Sequence, residues 1–173
     1  MTSSKYLSRT APSTVSATTI VSSLLTVQTS GAGFTDLTAE IAEFVHDAGA
    51  REGAVTLFIR HTSASLTIQE NADPSVLDDL MTALDRLAPD NAGWSHDTEG
   101  PDDMPAHVKT VLTATSLHIP VLKSKLALGT WQAIYLIEHR ARPHRRKVVL
   151  QFVGASQDKT GLPNPPAAVQ SRN

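Results

Sequence analysis

Three histidines, His61, His96 and His107, stand in polar surroundings or at the ends of apolar runs, not inside an apolar stripe. Three neutral imidazoles around one point can hold a divalent ion such as zinc and leave a fourth position open for water or substrate, as catalytic sites do. Their spacing matches no short zinc motif, so the shared ion is an expectation that only the fold can test. Two of them bound the most polar stretch of the chain, His96-Asp97-Thr98-Glu99-Gly100-Pro101-Asp102-Asp103-Met104-Pro105-Ala106-His107. Glu99, Asp102 and Asp103 offer magnesium one or two carboxylates, and through it a hold on a phosphorylated substrate. Asp103 also reads as a plain helix N-cap, which for that residue is the stronger account. The bland reading of the stretch is a capped helix after a polar turn with two surface histidines. A third group, Thr62, Ser63, Glu70 and Asn71, brackets one strand and is placed to orient a histidine or bind a ligand. Ser63 lacks the G-x-S-x-G elbow, which argues against a nucleophilic serine.

These residues need elements to position them. Ile20 to Thr29 is β-branched and Leu-rich and reads as a strand, followed by a turn at Gly31-Ala32-Gly33. Leu37, Ile41, Phe44, Val45 and Ala48 fall at helical spacing, with Thr35 or Asp36 as cap and Gly49 as stop. Ala54 to Arg60 alternates as a half-buried strand and delivers His61-Thr62-Ser63 to a sheet rim. Ser65 to Gln69 is a further strand. Asp73 and Pro74 then open a helix whose Val76, Leu77, Leu80, Leu84 and Leu87 predict a core-facing stripe. Asp103 opens the next, with Pro105 in its first turn and Val108, Val111 and Leu112 beginning an apolar stripe. Ser116 to Leu122 is strand-like but interrupted by Pro120, which predicts an edge or a bulge. Trp131 to Arg140 and Arg146 to Val153 are longer strands joined by the basic link Ala141 to Arg145. Glu138 and Arg140 share one face of the first, where a cross-strand salt bridge is the ordinary explanation. The pattern predicts a single α+β domain over 15–154, a mostly antiparallel sheet packed with about three helices.

Bulk properties narrow the classes. The chain has 173 residues, 40% hydrophobic and 18% charged, with a formal net charge of -2. That length suffices for one domain with a real core. Basic residues are not in excess and aromatic residues are few, which argues against nucleic acid as a partner. With no cysteine, a metal must use His, Asp or Glu. No apolar run approaches a membrane span, and a cytoplasmic location is expected. Residues 1–14, Ser/Thr-rich with Lys5 and Arg9, lack the amphipathic repeat of a transit peptide and read as a flexible tail. Residues 155–173, polar with three prolines, read as another.

Taken together, His61-Thr62-Ser63-Ala64-Ser65-Leu66-Thr67-Ile68, Glu70-Asn71-Ala72-Asp73-Pro74, His96 with Glu99 to His107, Leu128-Gly129-Thr130-Trp131-Gln132 and Glu138-His139-Arg140 resemble, in order and spacing, the YjbQ-type family, also labelled secondary thiamine-phosphate synthase. The resemblance covers about residues 20–154. It implies a compact α+β subunit assembled as a homotrimer, with His61, His96 and His107 as metal ligands or acid/base groups and Glu70, Asp102, Asp103 and Arg140 around them. The activity it implies joins hydroxymethylpyrimidine diphosphate to thiazole phosphate, giving thiamine phosphate and diphosphate. Lys123-Ser124-Lys125 replaces a usual glycine-containing turn, and Ala133 replaces a glycine. Three functions follow as expectations: that transferase, a metal-dependent hydrolase or phosphatase, and a non-enzymatic metal-binding trimer.

Overall fold

The computed structural model describes residues 8–157. Residues 1–7 and 158–173, which hold much of the two expected tails, lie outside the described residues. Residues 8–18 are exposed and carry no regular structure. The elements then run β1 (Thr19–Gln28), β2 (Gly33–Asp36), α1 (Thr38–Asp47), β3 (Ala50–Ile59), β4 (Ala64–Glu70), α2 (Pro74–Leu87), α3 (Asp103–Leu112), β5 (Ser116–Leu122), β6 (Lys125–Leu126), β7 (Gln132–Glu138) and β8 (Arg145–Ser156). Every strand pairing is antiparallel. A five-stranded sheet has the order β1-β8-β3-β5-β6 and a three-stranded sheet the order β2-β7-β4. This is the expected α+β domain.

Alternation decides what lies between the sheets. Val55, Leu57 and Ile59 on β3 and Val148, Leu150 and Phe152 on β8 point inward. They meet Leu66 of β4, Ile134 and Leu136 of β7, and Ile41 and Val45 of α1 in one cluster. Each such side chain contributes about 1.5–3 kcal/mol on leaving water. Gly53 and Gly154 face each other across β3 and β8, where a Cβ on Gly53 would come within 2.3 Å of the Val153 carbonyl oxygen. β5 is flanked only by the two-residue β6 on its outer side, so Pro120 sits near a sheet edge as expected.

The helix ends follow the local signals, while the helix faces do not. Asp36 Oδ1 accepts from Thr38 N at 2.7 Å, and Gly49 leaves α1 with φ +61°. Asp73 Oδ1 accepts from Ser75 N at 2.9 Å, with Pro74 opening α2. α2 nevertheless buries none of its residues, and Leu87 is 65% exposed. The expected core helix is therefore a surface helix whose apolar stripe is half-covered at most. On α3 the end of the expected apolar stripe faces outward and polar residues join the buried side. Val111 is 84% exposed, whereas Asp103, Pro105, Ala106, Lys109 and Thr110 are buried. The inward polar groups have partners that the helical period cannot show, and these build the site.

Candidate metal centre

β7 ends at Glu138 and the chain continues through His139 to Arg140, while the loop 96–102 leads into α3 opposite. Gly100 has φ +120°, and a Cβ there would lie 3.1 Å from Asp102 Oδ1. The turn thus brings the backbone close beneath Asp102, an approach that favours glycine. Asp102 occupies the N-cap position of α3 with helical dihedrals and makes no side-chain cap; Asp103 is the first helical residue. The expected cap role for Asp103 gives way to another. Its carboxylate is turned inward, 2% exposed, and Oδ1 accepts from the Arg140 Nη1.

Arg140 is the organiser of this loop. Its Nε donates to Asp102 Oδ2 at 3.1 Å and its Nη2 to the Glu99 carbonyl at 2.8 Å. Ala141 N also donates to Asp102 Oδ2, at 2.9 Å. Burial works to raise the Asp102 pKa, but the Ala141 N–H and the guanidinium outweigh it and hold the carboxyl below its ordinary value. Burial likewise opposes the Arg140 charge, and its carboxylate partners prevail. Glu138 does not pair with the Arg140 side chain. It takes the Arg146 guanidinium, with Nε to Oε2 at 2.7 Å, accepts from Thr29 Oγ1 at 2.9 Å, and accepts from Arg140 N at 3.0 Å. The cross-strand salt bridge expected of this face is thus shared out to two different arginine–carboxylate pairs.

On the other side of Asp103 stand two imidazoles. His96 Nε2 lies 2.8 Å and His107 Nε2 3.8 Å from Asp103 Oδ2, and the ring centroids are 5.5 Å apart. One ligand atom from each of the three residues falls within 4.8 Å of the others. Asp103 and His107 are four apart on α3, which puts them on one face. Asp103 Oδ2 is buried, and neither ring meets it with hydrogen-bond geometry. His107 Nδ1 is 3.0 Å from the Thr62 carbonyl. A carbonyl only accepts, so that contact assigns the proton to Nδ1 and leaves the Nε2 lone pair toward Asp103. A backbone acceptor behind a ligating imidazole is the usual support of a metal site. An unpartnered carboxylate oxygen and two nearby imidazole nitrogens fit a divalent ion, whose bonds to such donors are about 2.0–2.2 Å.

The remaining expected residues fall elsewhere. His61 is not in the group: its Nε2 accepts from Lys147 N at 2.9 Å. Burial, with Arg146 next to it, lowers the His61 pKa and favours the neutral ring. Among the described residues, Asp103 and not His61 lies beside His96 and His107. Glu70 ends β4 six residues beyond Ala64, about 20 Å along the strand from the end near Thr62. Within this chain it does not reach the histidines. Ser63 supports Arg146, accepting through Oγ at 3.1 Å. His139, which the sequence offered only within the Glu138-His139-Arg140 motif, is 2% exposed and bonded through Nε2 to Ser65 Oγ at 2.8 Å.

Known proteins share this fold and much of this sequence. A family model described as UPF0047 protein YjbQ-like matches residues 23–155. A UPF0047 protein of Synechocystis is 48% identical over 132 residues, covering 76% of this chain and 90% of the relative. The UPF0047 protein YjbQ of Escherichia coli O157:H7 is 41% identical, covering 75% and 95%. Among solved structures, a YjbQ/UPF0047 family protein of Clostridium acetobutylicum, described as uncharacterized, superposes with a TM-score of 0.70 at 36% identity, covering 75% of this chain and 98% of that one.

Proposed function

The chain belongs to the YjbQ-like UPF0047 family, and from that premise we propose that His96, Asp103 and His107 form a divalent-metal site serving chemistry on a small phosphorylated molecule. The observation that carries the metal is Asp103 Oδ2, buried without a hydrogen-bond partner and facing two imidazole nitrogens. Two imidazoles and a carboxylate are a donor set that zinc accepts with coordination positions to spare. When bound, such an ion supplies a Lewis acid for a carbonyl or phosphoryl oxygen. The protein's own part is orientation. Arg140 fixes one oxygen of Asp103, and the Thr62 carbonyl fixes the His107 ring.

The phosphorylated substrate is supported by the neighbouring surface. A cavity of about 460 Å³ at the end of β3 is lined by Arg60, His61, Thr62 and Ser63 among others. Thr62 thereby joins it to His107. Because Lys147 N donates to His61 Nε2, the proton of the neutral ring lies on Nδ1, as a donor. Arg60, which lines it, makes no ion pair among the described residues. Arg140, by contrast, is saturated by Asp102, Asp103 and Glu99, so charge on a departing diphosphate is neutralised by Arg60 or by a magnesium ion accompanying the substrate.

Thiamine-phosphate synthesis is the first reaction to assay, and phosphate-ester hydrolysis the second. A homotrimer in the cytoplasm is the accompanying expectation. It is supported by apolar side chains left outward on α3 and on the five-stranded sheet, among them Val111, Leu112, Phe58 and Leu122. None of the described helices is long and apolar enough to cross a membrane. The test supplies hydroxymethylpyrimidine diphosphate and thiazole phosphate with magnesium, and follows thiamine phosphate and inorganic phosphate. Formation of the carbon–nitrogen product by wild type and its loss in His107→Ala supports the transferase. Phosphate release alone, lost in the same variant, supports the hydrolase. Equal product from both proteins would overturn the catalytic reading and leave a non-enzymatic trimer.

A further inference from the structure

The strands β1, β8, β3 and β5 are neighbours in the five-stranded sheet, and their outward residues fall into rows across it. One row is Ile20, Val153, Ala54 and Pro120, the next is Ser22, Gln151, Thr56 and His118, and the third is Leu24, Val149, Phe58 and Ser116. Ile20 is 70% exposed, and Leu24, Phe58 and Val153 are exposed as well. An antiparallel sheet with one side in water carries polar residues on that side. Here two of three rows are mostly apolar, and none of the three holds a Lys, Arg, Asp or Glu. Charge begins only in the following row, where Lys147 pairs with Thr26 and Arg60 N donates to the Lys147 carbonyl.

The polar row supplies the second observation. Gln151 Nε2 donates to Ser22 Oγ at 3.2 Å, and Thr56 Oγ1 lies 3.0 Å from His118 Nδ1. These side chains answer one another along the row, as polar groups in a covered surface must. The face is also large enough to hold a partner. Four strands at a spacing of about 4.8 Å, followed from Ile20 to Gln28, span about 19 Å by 27 Å. The corrugated accessible area of such a face is of the order of the roughly 800 Å² per partner that a standard interface covers. Its neutrality selects the partner. A second copy brings the same charges to the seam, where like charges opposed to each other are costly. An uncharged face, with an apolar row on either side of a self-bonded polar row, meets its own kind without that penalty.

The same face runs into the cavity of about 460 Å³ at the end of β3. Phe58 and Arg60, both outward on that strand, line the cavity, as does Thr115 next to β5. We infer that a second copy of this chain covers the three rows and, by lying over Phe58, closes the cavity to which Arg60 and His61 belong, so that the substrate site is shared between copies. The inference rests on the reading of that cavity as the place of the phosphorylated group. Covering it removes water from around Arg60, whose attraction for an anion is then stronger than on an open surface.

Sedimentation velocity of the full chain at micromolar concentration tests the face, and calorimetric titration with inorganic phosphate tests the cavity. Leu24→Lys and Val153→Lys place a charge in the two apolar rows, and neither residue lines the cavity. Leu87→Lys, at the exposed end of α2, is the control, and circular dichroism checks the fold of each variant. Wild type and Leu87→Lys should sediment as the same assembly, and both face variants as monomers. The monomers should bind phosphate at least about tenfold more weakly than wild type despite their added positive charge, the scale of a charged hydrogen bond returned to water. Face variants that assemble like wild type would overturn the inference. A monomeric wild type would do the same, and its capture by phosphatidylglycerol vesicles would give the face to a membrane instead. Monomers that bind phosphate as tightly as wild type would show the cavity complete in one chain and overturn the shared site. An assembled wild type that binds no phosphate, with the face variants monomeric, would remove the substrate reading of the cavity and the shared site with it.

Discussion

His96 Nε2 stands 2.8 Å from Asp103 Oδ2, an oxygen that is buried and lacks a hydrogen bond of good geometry. Asp103 is thereby divided between two tasks. One oxygen closes an ion pair with Arg140, and the other is left facing the imidazoles. The loop 96–102 and the end of β7 exist in their observed paths to make that division.

Arg140→Gln should therefore destabilise the protein by about 3–5 kcal/mol, because it leaves a buried carboxylate without its partner. Urea denaturation measures this. Arg140→Lys should recover only part of the loss, since an ammonium cannot serve Asp102, Asp103 and the Glu99 carbonyl together.

Asparagine at 103 separates the cap role from the buried one. A pure N-cap would tolerate Asp103→Asn with almost no effect. The inward carboxylate predicts instead a loss of about 2 kcal/mol or more, as for a broken charged hydrogen bond. Asp102, more exposed than Asp103, should lose less on the same substitution. Equal, small effects at both positions would return Asp103 to a capping role.

The pH dependence of stability should carry a His139 signature. Burial, with Lys109 next, pushes its pKa down to about 4 from an ordinary 6.5. Between those values the unfolded chain binds the proton and the folded chain does not, so folding stability rises with pH through this window. The contribution is complete above about pH 6.5 and is lost as pH falls toward 4. Its size is a few kcal/mol, at 1.36 kcal/mol per pKa unit. His139→Gln should flatten this limb relative to wild type in denaturation curves taken across the window.

The β5–β6 turn offers a stabilising change. Lys123 and Ser124 have φ of 50° and 63°, the pair of positive dihedrals that a two-residue hairpin loop demands. Neither residue is suited to it, which is why a glycine-containing turn would be usual here. Ser124→Gly should raise stability by about 0.5–1 kcal/mol, the left-handed penalty less the added freedom of the unfolded chain. Thermal denaturation reads it directly.

Signals confined to a few neighbouring residues were legible in the sequence: Asp36 and Gly49 bounding α1, Asp73-Pro74 opening α2, and the alternation of β3 and β8. The four-residue β2 was hidden in a glycine turn because it exists only by pairing with β7. The outward position of Val111 is not legible, because periodicity finds an apolar stripe without saying which face the core takes. His96 and His107 were legible from their polar setting. That Asp103, and not His61, lies beside them was not, since it depends on Arg140 arriving from the end of β7 and on Lys147 of β8 occupying the His61 ring. Ser65–His139 had no sequence signal beyond the motif itself, because its meaning lies in an atom left without a partner.

The His96–Asp103–His107 site is read out by metal content per chain, measured by plasma mass spectrometry on wild type, His96→Ala, Asp103→Ala, His107→Ala and His61→Ala. Wild type and His61→Ala should carry about one equivalent of a divalent transition metal, with sharp loss in the other three, as removal of a ligand from a site of this kind produces. Retention in the His96, Asp103 and His107 variants, or loss confined to His61→Ala, would contradict it.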